Sequence, residues 1–377
     1  MIIKSIVFIN NKIRIFFSFF FFKLFQRTNL FFLPNLKYEN INHKFNLSSD
    51  QVLIKTKLCA LCGSDKKIVN FDFSIFSSAL FDSKKHKKEK IYLGHEVLGE
   101  VIDRGKKVKK ISIKDKIVLD SVIRNKKHQK SSNLFGGFSN YFVREQDSFH
   151  VISNKIKEEH ALLIEPLACS YGAIKTTQIK KKDKILVVGA GVIGQGVIIL
   201  LRYLYGKNID ITSATNSKNH LSILKKSLVN NVIYKKDIYT ESIKILKTSS
   251  KGFLNNKILE KGYNKIFDCS GSKNLLNNFL RMAEVNGEII LDGMNMDYEK
   301  IDLTPVWMRK ITIKGVNGYE KKYSDLQHST FKFIHDLILY KKINVSNLKI
   351  QKISHVKWKS LFNNNYNGSI KKALYFN

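Results

Sequence analysis

At 377 residues the chain exceeds the size at which single hydrophobic cores usually stop growing, so two domains are expected, and 44% hydrophobic residues fill both and exclude a disordered chain. A formal charge of +34, from 65 Lys and Arg against 31 Asp and Glu, raises nucleic acid as a partner, because basic footprints neutralise phosphates. The excess is spread over the whole chain with heavy Asn, Ile and Phe usage, as an AT-rich coding sequence would produce, so compositional drift is preferred to a nucleic-acid patch.

Cys59, Cys62, Cys169 and Cys269 are too few and too scattered for a disulfide framework, and a reducing cytoplasm is the simpler compartment. Ile3 to Ile15 reads as an apolar hairpin turning at Asn10-Asn11. The Phe-rich stretch that follows runs apolar for only about 13 residues, roughly 20 Å as a helix against about 30 Å of hydrocarbon, so it does not span a bilayer. Arg14 and Lys23 interrupt it, and Gln26-Arg27-Thr28-Asn29 offers no small-residue cleavage site. A buried or dimer-facing segment is expected, with peripheral membrane contact as the alternative.

Gln51 to Leu58 alternates as a half-buried strand and delivers Cys59-Ala60-Leu61-Cys62 to a loop at its end. Cys59 and Cys62 have the spacing of half a zinc knuckle, but no second cysteine pair completes a four-thiolate site. A catalytic site combining one of them with other ligands fits better. Lys66 to Lys90 reads as a polar and aromatic loop. Ile91-Tyr92-Leu93 then leads as a strand into Gly94-His95-Glu96, and Val97 to Ile102 continues extended to a turn at Gly105. A lone histidine after a strand is ordinarily structural; next to Glu96 and paired with an earlier loop cysteine, His95 becomes a metal-ligand candidate. Further short strands at Asp115 to Leu119 and Gly136 to Val143 indicate a β-rich, barrel-like first domain.

Glu158 to Lys175 has helical spacing that Pro166 is expected to break or kink. Glu165 is either a helix-end carboxylate or, given Cys62 and His95, a metal ligand or a partner of metal-bound water. Between a continuous apolar strand, Lys184 to Val188, and an apolar helix, Val192 to Tyr203, lies Gly189-x-Gly191-x-x-Gly194. That is the context a dinucleotide cradle requires: glycines for the tight turn and close approach, and a helix opening at Val192 and Ile193 to hold the pyrophosphate. The next strand, Ile209 to Thr215, carries no acid at its tip, since Asp210 lies at its start. Thr215, Asn216 and Lys218 suit a ribose 2′-phosphate, so NADP is preferred to NAD. Strands at Lys265 to Cys269, Gly287 to Gly293 and Ile311 to Gly315, with a helix at Leu275 to Ala283, make a doubly wound parallel sheet. Cys269 is read as structural. Helical Phe331 to Leu339 and a last strand from Ala373 are expected to return to the first domain.

A thiol, an imidazole, a carboxylate and a dinucleotide cradle in that order point to zinc-assisted hydride chemistry. Cys62-Gly63-Ser64-Asp65, Gly94-His95-Glu96, Glu165-Pro166-Leu167 and the Gly189 to Gly194 cradle together resemble the zinc-dependent alcohol and polyol branch of the medium-chain dehydrogenase/reductase superfamily, from about Gln51 onward. The resemblance implies α/β plus β architecture. Residues 1–40 are an atypical Phe-rich segment, 41–172 a GroES-like β-barrel catalytic domain, 173–315 a Rossmann domain and 316–377 a return to the catalytic domain. It implies one catalytic zinc on Cys62 and His95, with Glu165 as third ligand or its water-linked equivalent and Glu96 beside the metal or as alternate ligand. Ser64 matches the hydroxyl of the proton relay and Asp65 the carboxylate that orients the histidine. Ser121 to Asn133 lacks the clustered cysteines of many members, so no structural zinc is expected.

The zinc loop and Gly315-Val316-Asn317-Gly318, whose Asn317 would approach sugar and nicotinamide, are similar to glucose and related aldose dehydrogenases. An aldose 1-dehydrogenase transferring hydride from a sugar or alcohol hydroxyl to NAD(P), in a homodimer or homotetramer, is therefore the leading expectation. A sorbitol, other polyol or L-threonine 3-dehydrogenase is the alternative, and a non-catalytic basic protein binding nucleic acid or membrane on a dehydrogenase scaffold is the alternative of another class.

Overall fold

The computed structural model describes residues 1–9, 35–69, 90–120, 135–225, 228–252, 257–293, 299–316, 318–319 and 330–377. The Asn10-Asn11 turn, the Phe-rich stretch, most of the 66–90 loop, the cysteine-free 121–133 segment and Asn317 lie outside the described residues. The chain divides into two compact units, residues 1–165 with 349–377, and residues 166–348.

In chain order the first unit contains β1 (Ile2–Ile9), β2 (Leu36–Asn42), β3 (Gln51–Ala60), α1 (Gly63–Val69), β4 (Lys90–Tyr92), β5 (Glu96–Arg104), β6 (Lys116–Leu119), β7 (Tyr141–Glu145), β8 (Phe149–Val151) and α2 (Glu158–Leu162). The strand expected at the start is present as β1, while the turn and return strand predicted for 10–15 lie outside the described residues. β1 pairs with β2 on one edge, and with β4 and an isolated bridge from Ser5 to Ser139 on the other, so both edges are taken. Gly63 to Val69 is also a short helix rather than loop. Asp65 accepts from the Cys62 backbone N–H at the start of that turn.

β3 is central. It pairs antiparallel with β5 along one edge and with β7 along the first part of the other. Both faces are also covered, α2 packing against β3 and β5, so the expected half-buried alternation becomes nearly continuous burial from Gln51 to Ile54. A register shift between Thr56 and Leu58 changes which parity faces the core, Val52 and Ile54 before it and Cys59 and Leu61 after it.

α3 (Ile164–Lys175) starts with Ile164 and Glu165 in the first unit and continues into the second, which then contains β9 (Lys184–Val188), α4 (Val192–Tyr205), β10 (Asp210–Thr215), α5 (Lys218–Ile223), β11 (Asn231–Tyr234), α6 (Ile238–Leu246), β12 (Ser250–Lys251), β13 (Ile258–Leu259), β14 (Tyr263–Asp268), α7 (Leu276–Met282), β15 (Ala283–Leu291), α8 (Thr304–Arg309), β16 (Thr312–Gly315) and α9 (Thr330–Leu339). The helical break falls at Leu163, before Pro166, which sits in the first turn of α3 where its missing N–H has no intrahelical partner to lose. Six strands form an all-parallel sheet in the order β11-β10-β9-β14-β15-β16, reversing direction of travel between β9 and β14. Leu186, Ile266, Phe279, Leu280 and Ile289 belong to its buried core. The chain then rejoins the first unit as β17 (Ile350–Ser354) and β18 (Lys371–Tyr375), β18 pairing antiparallel with β3 through Cys59 and Ala60. None of the four cysteines is in a disulfide, and among the described residues no helix is long and apolar enough to cross a membrane.

Candidate functional site

Three strand ends meet where β3 stops. Ala60 is paired with Glu96 on β5 and with Ala373 on β18, and the Leu61 N–H donates to the Lys372 carbonyl at 2.9 Å. Cys62 follows, half-buried. The Asp65 carboxylate, buried on α1, ties its loop to the one bearing His95. Oδ2 accepts from the Cys62 N–H at 3.1 Å and Oδ1 from the Gly94 N–H at 3.2 Å, while Oδ1 lies 3.8 Å from His95 Nδ1. Gly94 is required there, because φ is +88° and a Cβ would meet Cys59 Sγ and the Phe138 nitrogen, both at 2.7 Å.

Cys62, His95 and Glu96 bring a sulfur, an imidazole nitrogen and a carboxylate oxygen within 4.8 Å of one another. This is a donor set suited to zinc, three protein ligands leaving a position for substrate, and it fits the metal by its chemistry. The carboxylate that joins the thiol and imidazole is Glu96; Glu165, buried at the start of α3, acts on His95 through its charge. Burial pulls the His95 imidazole down, but Cys62, Asp65 and Glu165 outweigh it and hold the ring well above its ordinary value. Burial also raises the Asp65 carboxyl, opposed by His95 and the two N–H donors. Ser64 lies half-buried on α1, between the Cys62 thiol and the Asp65 clamp.

Lys371 is the residue that sequence reasoning missed. Its Nζ lies 2.5 Å from both oxygens of Glu96 and 3.5 Å from the Leu61 carbonyl. Burial pulls its ammonium down, but Glu96, Cys62 and Glu165 more than compensate and keep it charged. The available signal was a pair of lysines opening an otherwise apolar last strand, hidden among 65 basic residues. Its neighbour Lys372 serves the fold, donating to the carbonyls of Ser360 at 2.8 Å and Asn363 at 3.0 Å.

In the second unit the three cradle glycines have different physical reasons. Gly189 has φ +90° and a Cβ there would fall 2.9 Å from the backbone of Cys269 and Ser270, while a Cβ on Gly194 would fall 1.8 Å from the Gly189 carbonyl oxygen. Gly191 is unstrained, with φ −70° and ψ −170°, and a Cβ there would meet only His220 Cε1, at 3.7 Å. The fold alone does not demand glycine at 191; an approaching ligand would. The first bond inside α4 runs from the Gln195 N–H to the Gly191 carbonyl, so the N–H groups of Val192, Ile193 and Gly194 precede the intrahelical ladder and face the positive end of the helix dipole. The cradle thus fits a dinucleotide pyrophosphate.

At the tip of β10, Thr215 Oγ1 accepts from the Ser217 N–H at 3.2 Å and Ser217 Oγ from the His220 N–H at 3.2 Å. Thr215 is therefore buried and engaged in the turn, whereas Asn216 and Lys218 are exposed.

Two family descriptions match the chain, "Alcohol dehydrogenase GroES-like domain" over residues 48–154 and "Zinc-binding dehydrogenase" over residues 192–335. D-arabitol-phosphate dehydrogenase of Enterococcus avium is 22% identical over 345 residues, covering 87% of this chain and 90% of that protein. Sorbitol dehydrogenase of Halalkalibacterium halodurans is 23% identical over 342 residues, covering 86% of this chain and 91% of that protein. Among solved structures, S. aureus TarJ in complex with NADPH superposes with a TM-score of 0.67 at 18% identity, covering 100% of both chains.

Proposed function

The chain belongs to the zinc-binding, medium-chain alcohol and polyol dehydrogenase family, oxidoreductases that act on CH–OH groups with zinc and NAD(P), and from that premise we propose that it oxidises a polyol or phosphorylated polyol with NADP. The observation that carries this is the convergence of Cys62, His95 and Glu96. The names of the arabitol-phosphate and sorbitol enzymes favour a polyol over the aldose suggested by the zinc loop.

Zinc held there supplies the Lewis acidity that makes an alcohol hydroxyl easy to deprotonate, and the nicotinamide supplies the hydride acceptor. Ser64 takes the hydroxyl proton and passes it to solvent, while the carbinol hydrogen leaves with its electron pair and the substrate becomes a carbonyl. Asp65 holds Cys62 and His95 in register, and Lys371 holds Glu96. Glu165 adds negative charge that favours a cation. Gly189, Gly191 and Gly194, with the N–H groups of Val192 and Ile193, carry the pyrophosphate, Asn216 and Lys218 the ribose end, and Asn317 the nicotinamide side. Thr215 shapes the turn.

Metal content of the purified protein tests the site. Wild type should hold one zinc per chain and Cys62→Ser less than half of that; full retention in the variant rejects the metal assignment. A panel of polyols, their phosphates, aldoses and L-threonine, followed by NADPH and NADH absorbance, tests the substrate. Faster turnover of aldoses than of every polyol would restore the aldose reading.

Copies of the chain are expected to pair through the open end of the parallel sheet. α8 leads directly into β16, the terminal strand, and exposes Trp307 at 73% and Met308 at 57%, with Leu303 just before it at 59%. Trp307→Glu should convert a dimer to monomer in light scattering; an unchanged mass would move the interface elsewhere.

A further inference from the structure

We infer that His220 is a specificity-determining residue for the cofactor, a second contact beside Lys218 for the phosphate on the adenosine ribose, held in place by Gln195. The inference rests on the NADP reading above. It starts from Gly191, where a Cβ would lie 3.7 Å from Cε1 of the His220 imidazole and, its own chain neighbours aside, within 4 Å of no other described atom. A group laid over the middle of the cradle on that side therefore comes close to this ring.

The ring is not there by accident of a loose surface helix. The His220 N–H is fixed by Ser217 Oγ at 3.2 Å, and its carbonyl accepts from the Leu224 N–H at 3.0 Å and from Gln195 Nε2 at 3.4 Å. The same Gln195 nitrogen donates to the Ala190 carbonyl at 2.9 Å, inside the cradle itself. Gln195 is 2% exposed, so a buried amide on α4 braces the backbone of α5 against the turn that would hold the pyrophosphate. Gln195 and Ser217 thus hold the backbone that carries the imidazole beside the cradle turn.

The polar groups at the tip of β10 narrow the choice of ligand chemistry. The two hydroxyls there, Thr215 Oγ1 and Ser217 Oγ, already accept from backbone N–H groups of the turn. No carboxylate stands at Thr215, Asn216 or Ser217 to accept from a free ribose 2′-hydroxyl. What the turn offers instead is an amide, an ammonium and an imidazole, from Asn216, Lys218 and His220, all of them able to donate to an anion. A phosphate on the ribose matches that set.

Calorimetric titration with 2′,5′-ADP and 5′-AMP tests this, because the two probes differ only in the group His220 would contact. Wild type should bind 2′,5′-ADP the more tightly. His220→Ala should weaken 2′,5′-ADP by about tenfold and leave 5′-AMP within about twofold, and His220→Arg should restore the preference. Gln195→Met, read on the same probes with its unfolding midpoint measured alongside, should reduce the preference while His220 is still present. If wild type does not prefer 2′,5′-ADP, the NADP reading falls and this inference with it. If wild type prefers it and His220→Ala keeps the same ratio, the inference alone is overturned.

Discussion

In the first unit, Cys62, His95 with Glu96, and Lys371 come from three separated stretches of chain, and Asp65 ties two of their loops together. In the second, the single turn from Gly189 to Gly194 presents backbone N–H groups and almost nothing else. The metal corner is assembled from buried charge, the cradle from absent side chains. Damage to the corner should therefore appear first as lost stability and lost metal, whereas damage to the middle of the cradle should appear only when a ligand arrives.

The strongest test of that contrast is Lys371→Met, which leaves Glu96 buried without its counter-charge. Breaking a buried pair in this way should cost about 3–5 kcal/mol in urea unfolding, with Lys371→Arg recovering most of it. An unchanged midpoint would mean that charge does not hold the corner.

A control lies in the second unit, where Glu288 accepts from Lys265 at 2.6 Å and Lys314 at 2.5 Å with no thiol or imidazole drawn in. Burial pushes the Glu288 carboxyl up, but the hydrogen bonds from Lys265 and Lys314 outweigh it and hold it at about 2, against an ordinary 4.5. Because the folded value is the lower one, this stabilisation is fully present above the ordinary value and is lost as pH falls from there through about 2. Glu288→Gln should flatten roughly 2–3 kcal/mol of that acid-side slope without releasing zinc. Zinc loss from this variant would erase the distinction between an ion pair that builds a site and one that only packs a sheet.

Asp65→Asn keeps the shape of the clamp and removes its charge, so about 1–3 kcal/mol should be lost and zinc should pass faster to a chelator. The smallest effect on stability belongs to the cradle. Gly189→Ala, at positive φ, should destabilise by about 1–2 kcal/mol. Gly191→Ala should leave unfolding within about 0.5 kcal/mol and yet weaken NADPH binding about tenfold. Equal NADPH affinity in Gly191→Ala and wild type would remove the reason for placing the pyrophosphate there.

The same difference explains what could be read in the sequence. The cradle and its flanking strand and helix are local, so the spacing of Gly189, Gly191 and Gly194 located them and the apolar runs located β9 and α4. The corner was half legible. Cys62, Asp65, His95 and Glu96 stand out as chemistry-bearing residues next to strand ends, but which carboxylate meets the thiol and imidazole depends on strand pairing. Lys371 was invisible for the same reason, since its partner lies 275 positions away in the chain. The partner of β1 was missed because the nearest apolar run was preferred to β2, and the parity of β3 because a bulge shifts its inward face after Thr56.

The pairing of β18 with β3 also bears on how the protein is made. The first unit is interrupted by the whole of the second, and the strand carrying Lys371 leaves the ribosome only after both have been synthesised. Until then Glu96 has no counter-charge and Leu61 no carbonyl partner, so the corner closes last and through a long-range contact that is slow to find. A chain stopped short of β18 would keep its dinucleotide cradle and every proposed metal ligand, yet would lack the cation that neutralises one of them.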